Sequence, residues 1–381
     1  MRLLGPAHDS DAVTHAFVLG VSHYPYLDGP EATDTGAELG MADLSGAARS
    51  ASEVAAWLLT EYRNPDRPLA DITLFLSPGA DETLHDTVVQ AMAGQPAPAL
   101  SADVRAGLLD FRALCRQNPA NLAFVYVVGH GIQLNKRGAV LLLQDFAAAN
   151  QNLLDGAIDI AGCRDAMDEE GNAAQQVWFS DACRQRPDVV RRFESLHSAW
   201  RLDEGVGQVQ ASPMFLAASS REAAFAEVGK TSIFTQALLW ALRGSGGANG
   251  PDVFCPDWYV PATQLIKVLP QRVKELLADY PEDQQVDVTG RVLDMIAQRL
   301  TTPPDVDIEV TLNPPDLDPQ PTPGLLLGTD TPQEVPPGWP LRFTGPPGIY
   351  VATATVGDQR RQTAFQANPP SKKDAQIDFR P

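Results

Sequence analysis

Two side chains in this 381-residue chain have the type and the setting for covalent chemistry. His130 stands between Gly129 and Gly131, directly after the apolar run 122–128 (LAFVYVV). Cys183 stands in Asp181-Ala182-Cys183-Arg184, just past the run 177–180 (VWFS). A thiolate is a nucleophile, and it needs a base that takes its proton and later returns one to a leaving amine; an imidazole does both. Flanking glycines leave His130 uncrowded and let the backbone approach a substrate closely. An oxyanion would then need backbone donors, and the N–H groups of Gly131 and Cys183 are the candidates. Asp181 precedes Cys183 by two residues, so on a strand its carboxylate shares the direction of the thiol. A bare anion there would raise the thiol pKa until a cationic substrate side chain cancelled it. A lone histidine or cysteine is ordinarily core or surface filler; what marks these two is that both sit at strand ends.

The elements that must hold them alternate in kind. Residues 15–21 (HAFVLGV), 72–76, 122–128, 177–180 and 214–217 read as apolar strands. Residues 44–62, 104–115, 233–242, 263–278 and 291–300 carry helical periodicity. Strands that are apolar on both faces, with helices between them, predict a mostly parallel sheet covered on two sides, a three-layer α/β/α sandwich. In such sheets ligands bind at the carboxyl ends of the strands, where His130 and Cys183 stand.

Composition changes after Thr302. Sixteen of the 32 prolines fall in residues 303–381, and Pro-Pro pairs cannot sit in helices or central strands. Between them lie the short β-prone runs 307–312 (DIEVTL), 325–327, 341–343 and 349–355 (IYVATAT). The chain therefore divides into a catalytic domain over 12–302 and a small antiparallel β-sandwich over 303–381. The second unit has no reactive constellation, which points to binding of a regulatory partner.

The net charge of −19 excludes nucleic acid and anionic membrane as natural partners. No stretch reaches the run of about 20 apolar residues that a membrane span needs. The first residues lack a secretion signal, so a cytoplasmic location is expected. Cys115, Cys163, Cys183 and Cys255 are far apart and form no CxxC pair, which argues against zinc and disulfide frameworks.

Several segments together resemble the caspase-like cysteine peptidases, the group of caspases, metacaspases and bacterial orthocaspases. Residues 124–134 (FVYVVGHGIQL) and 178–184 (WFSDACR) look like its His and Cys motifs, and the separation of 53 residues fits the spacing of caspases. Residues 15–24 (HAFVLGVSHY), Leu44-Ser45-Gly46-Ala47, 215–220 (FLAASS) and 232–239 (SIFTQALL) are similar to its first strand, first helix and small-subunit strand and helix. The resemblance implies a His130/Cys183 dyad acting on a protein or peptide, with the Gly131 and Cys183 amides as oxyanion hole and no metal or cofactor in the chemistry. Some members need calcium for activation, but residues 165–171 (DAMDEEG) lack the spacing of a calcium loop.

In metacaspase-like relatives the residue at the place of Asp181 lines the pocket that selects Arg or Lys before the cut. Cleavage after Arg or Lys is therefore expected here. One departure stands against it: Ser50 occupies the helix position where basic-specific relatives carry a second acid. The Arg-rich segment 184–206 is a candidate for self-cleavage, its alternative being a solvated helix over 188–200. Bacterial members serve regulated proteolysis, including self-killing defence against phage. The alternatives are a catalytically silent scaffold of the same fold and a pure interaction protein. A serine hydrolase is not supported, since no Gly-x-Ser-x-Gly elbow occurs.

Overall fold

The computed structural model describes residues 1–6, 8–133, 139–148, 152–168, 171–182, 199–202, 210–217, 229–246, 248–280, 284–328, 331–335, 338–369 and 373–379. The chain opens with β1 (Arg2–Leu4), β2 (Thr14–Val21), the one-turn α1 (Asp34–Ala37), α2 (Ala47–Thr60) and β3 (Leu69–Ser77). Then come α3 (Asp86–Met92), α4 (Ser101–Cys115) and β4 (Leu122–Gly129), followed by the short β5 (Gly131–Gln133), β6 (Ala139–Leu142) and β7 (Ala157–Ile158). Next are α5 (Ile160–Met167), β8 (Gln175–Ala182), β9 (Met214–Leu216), α6 (Ile233–Leu242), β10 (Trp258–Pro261), α7 (Ala262–Leu276), β11 (Asp287–Thr289) and β12 (Ile296–Leu300).

A seven-stranded sheet in the order β1-β3-β2-β4-β8-β9-β11 forms the centre. Its five inner strands are parallel, and β1 and β11 cap the two edges antiparallel. Period-two alternation explains the two buried faces. Leu122, Phe124, Tyr126 and Val128 of β4 enter one apolar core with α2, α6 and α7. Ala123, Val125 and Val127 enter the other with α4 and α5. The alanine-rich face of α2 lies close on β2. A Cβ on Gly20 would come within 2.6 Å of the Ala51 Cβ and 2.9 Å of the Ala47 carbonyl.

Two expectations need correction. Residues 291–300 do not form a helix: β12 pairs antiparallel with β10. Met295 and Ala297 turn into the core in alternation, while the Arg299 N–H donates to the Arg63 carbonyl at 2.8 Å. Tertiary pairing outweighs the local helical pattern.

The second correction concerns the C-terminal strands β13 (Val306–Asn313), β14 (Thr322–Leu327), β15 (Thr331–Pro332), β16 (Leu341–Gly345), β17 (Gly348–Val356), β18 (Gln359–Ala367) and β19 (Lys373–Asp378). They make two sheets, β16-β13-β19 and β15-β14-β17-β18. The arrangement is not wholly antiparallel, because β19 returns alongside β13 in parallel. Val306, Ile308, Val310 and Leu312 alternate inward to meet Tyr350, Ala352, Ala354 and Phe365 in a third apolar core.

Candidate functional site

β4 and β8 run side by side in parallel, from Leu122 opposite Gln175 to Gly129 opposite Ala182. His130 is the first residue past that ladder. Its backbone is held by a residue that sequence reasoning did not single out. The Tyr24 hydroxyl accepts the His130 N–H at 2.8 Å and donates to the Leu142 carbonyl at 3.4 Å. The Leu142 N–H in turn donates to the His130 carbonyl at 2.9 Å. Tyr24 thus bridges one of the two bonds that an antiparallel pair of this kind exchanges. Gly129 leaves room for it: a Cβ there would lie 2.7 Å from the Tyr24 hydroxyl.

The imidazole is fixed from the loop that precedes α2. Its Nε2 lies 2.7 Å from the Ala42 carbonyl, and the Tyr24 ring packs against it with centroids 4.9 Å apart. Burial pushes the His130 pKa below its ordinary value, opposed by the Ala42 carbonyl and by the charge of Asp43. A carbonyl only accepts, so the neutral ring carries its proton on Nε2 and keeps a basic lone pair on Nδ1. Asp43 anchors the same loop. One carboxylate oxygen accepts the Tyr24 N–H at 2.6 Å, and the other meets His23 Nδ1 at 2.8 Å.

Gly131 begins β5 opposite Leu141. The neighbouring pair, His130 and Leu142, is of the hydrogen-bonded type, so by alternation the Gly131 N–H is directed away from β6.

Asp181 is only 2% exposed, on the face of β8 that looks toward α6. Three hydroxyls stand around its Oδ2: that of Ser232, that of Thr235 at 3.0 Å and that of Tyr126 at 3.3 Å. Burial raises the Asp181 pKa to about 6 although those three hydroxyls pull it down. Ser50 is drawn into the same place, since its hydroxyl accepts the Ser232 N–H at 3.0 Å. The position of the missing acid is therefore two hydrogen bonds from Asp181.

Ser232 could have been found in the sequence as the N-cap of α6, where its hydroxyl accepts the Thr235 N–H. Tyr126 could have been found by the alternation that puts it on the Asp181 face of the sheet. Nothing local marks Tyr24, Ala42 or Asp43.

Cys183 lies outside the described residues, as do 184–198, 203–209 and 218–228, which hold most of the segment proposed for self-cleavage. Among the described residues no group of three or more His, Cys, Asp or Glu side chains could hold a metal ion. Nor, among the described residues, is any helix long and apolar enough to cross a membrane.

The family model described as the caspase domain (Peptidase_C14) matches residues 14–277. Among solved structures, the chain is similar to caspase-1 from Spodoptera frugiperda at 13% identity. That match covers 77% of this chain and 89% of the other, with a TM-score of 0.40. It is also similar to a structure titled pro-sf-caspase-1, at 13% identity over 77% of this chain and 94% of the other, with a TM-score of 0.38. No curated protein sequence matches it.

Proposed function

This chain belongs to the caspase-domain peptidase family, and on that premise we propose that it is an endopeptidase using Cys183 as nucleophile and His130 as acid and base. One observation carries the reading. The β4–β8 ladder pairs residues 53 apart along its whole length, ending at Gly129 and Ala182. The next residues in sequence are His130 and Cys183, at the same offset.

In this mechanism His130 Nδ1 takes the thiol proton and the thiolate attacks the scissile carbonyl. The carbonyl oxygen becomes an anion, for which the Gly131 N–H, turned away from β6, and the Cys183 N–H are the donors. The imidazolium is steadied by the Ala42 carbonyl and by Asp43, then gives its proton to the leaving amine. Water, deprotonated by the same Nδ1, releases the acyl group and restores the thiol.

The residue before the cut is Arg or Lys in this reading, bound by Asp181. A carboxylate held at the carboxyl end of β8 with a pKa of about 6 gains full ionisation when a cation docks on it. Residues 303–381, with an apolar core of their own, are assigned to partner binding in regulated proteolysis.

The test compares fluorogenic peptides carrying Arg, Lys or Asp before the cut, on the wild type and on Cys183→Ala, His130→Ala and Asp181→Ala. Activity is expected to vanish in the first two variants and to lose its basic preference in the third. Turnover that survives Cys183→Ala overturns the dyad; a wild type that cuts after Asp overturns the specificity.

A further inference from the structure

The hydroxyls around Asp181 can be counted proton by proton. Tyr126, Thr235 and Ser232 each have one to give. The Tyr126 and Thr235 hydroxyl oxygens lie 2.5 Å apart, Thr235 reaches Asp181 Oδ2 at 3.0 Å, and Ser232 reaches the same Oδ2. Tyr126 and Thr235 share one hydrogen bond, so whichever of them donates in it, the other sends its proton to Oδ2, and Ser232 supplies the second. Burial holds the Tyr126 phenol well above its usual pKa, so it stays a donor. Two donors fill the two lone pairs of Oδ2. Oδ1 receives no hydrogen bond from the described residues.

These donors cannot easily turn aside. The Ser232 hydroxyl also caps α6 by accepting the Thr235 N–H at 3.1 Å. Its own N–H is tied to Ser50, whose hydroxyl donates to the Gly46 carbonyl at 2.7 Å. All of these side chains are buried, so no solvent replaces a hydroxyl that swings away.

A guanidinium binds a carboxylate best as a fork, with one N–H on each oxygen. An ammonium is a point charge that needs one good acceptor and can rotate to find it. We propose that Ser232, Thr235 and Tyr126, by saturating Oδ2, make Asp181 a one-oxygen acceptor that favours lysine over arginine before the cut. This rests on the reading of Asp181 as the specificity acid. The three hydroxyl residues are positioning residues for substrate choice.

The experiment measures kcat/KM on two peptides that differ only in Lys or Arg before the cut, for the wild type, Ser232→Ala, Thr235→Val, Thr235→Val/Tyr126→Phe and Asp181→Asn. The wild type should prefer Lys by about fivefold, the worth of one hydrogen bond. Ser232→Ala frees a lone pair on Oδ2, so the Lys/Arg ratio should fall to one or below. The double variant Thr235→Val/Tyr126→Phe should do the same, whereas in Thr235→Val alone the Tyr126 hydroxyl, 3.3 Å from Oδ2, takes the place of the lost donor. A wild type that prefers Arg, or a ratio unmoved in a folded Ser232→Ala or in the folded double variant, overturns the proposal. Failure of the underlying reading looks different. In that case the wild type cuts after uncharged or acidic residues, or Asp181→Asn keeps the preference for basic ones.

Discussion

The Tyr24 hydroxyl stands between His130 and β6, accepting the His130 N–H at 2.8 Å across 106 residues of sequence. It fixes where the imidazole leaves the sheet, and its ring lies against that imidazole. Removing only the oxygen, by Tyr24→Phe, orphans a buried N–H and weakens the tie to Leu142. The expected loss of stability is about 1–2 kcal/mol. The expected fall in kcat is about tenfold with KM little changed, because the substrate is still bound while its base is loose. Steady-state kinetics beside a thermal melt will show it; a melt that moves with kcat intact would make Tyr24 a fold residue only.

The pH profile follows from His130. The base must be neutral, and burial lowers its pKa, so the acid limb of kcat should lie below the ordinary imidazole value. Asp43 favours the charged imidazolium, so Asp43→Asn removes a contribution that raises this pKa. The limb should move to still lower pH, while the amide oxygen can still accept the Tyr24 N–H. The limb should be read in kcat at saturating substrate, where the bound cation keeps Asp181 ionised. A limb that stays put, or that moves up, contradicts the role given to Asp43.

Asp181 carries the opposite sign for stability. Its folded pKa of about 6 exceeds the unfolded value near 3.8. The fold therefore favours the protonated acid: the contribution is full below pH 3.8 and is lost as pH rises through about 6. Asp181→Asn imitates the protonated form. It should match the wild type at pH 4 and exceed it above pH 7 by up to roughly 3 kcal/mol. Urea denaturation at the two pH values tests this, and an Asn variant that is weaker at both would refute it.

What could be read from the sequence depended on how local its cause was. β4 and β8 were legible because both faces of each are buried, so each contains an apolar run, 122–128 and 177–179. His130 and Asp181 were legible because those runs end beside them. Residues 291–300 were misread because β12 owes its form to β10 and to the loop at Arg63, far away in sequence. β18 went unread because most of its residues face solvent and are polar. The bracket around His130 was hidden for the same reason as β12. Tyr24, Ala42 and Asp43 act through contacts that only the folded sheet creates, and a carbonyl leaves no trace in residue type.

Gly129 gives the sharpest check of that bracket. A methyl group there would sit 2.7 Å from the Tyr24 hydroxyl and 3.3 Å from the Val21 carbonyl. The first contact is tighter than real side chains allow, and the Tyr24 ring is buried with little room to retreat. Gly129→Ala alone should therefore push the hydroxyl off the His130 N–H, costing about 1–3 kcal/mol of stability and most of the turnover. In the Tyr24→Phe background the clashing oxygen is gone, so the same methyl group should cost less, keeping the strain of the Gly129 φ of +158° and the contact with Val21. The double variant should fall below Tyr24→Phe by that residual strain alone, with a coupling energy of about 1 kcal/mol or more between the two sites. Strict additivity in stability and in kcat would mean that Gly129 and Tyr24 do not meet in the working enzyme.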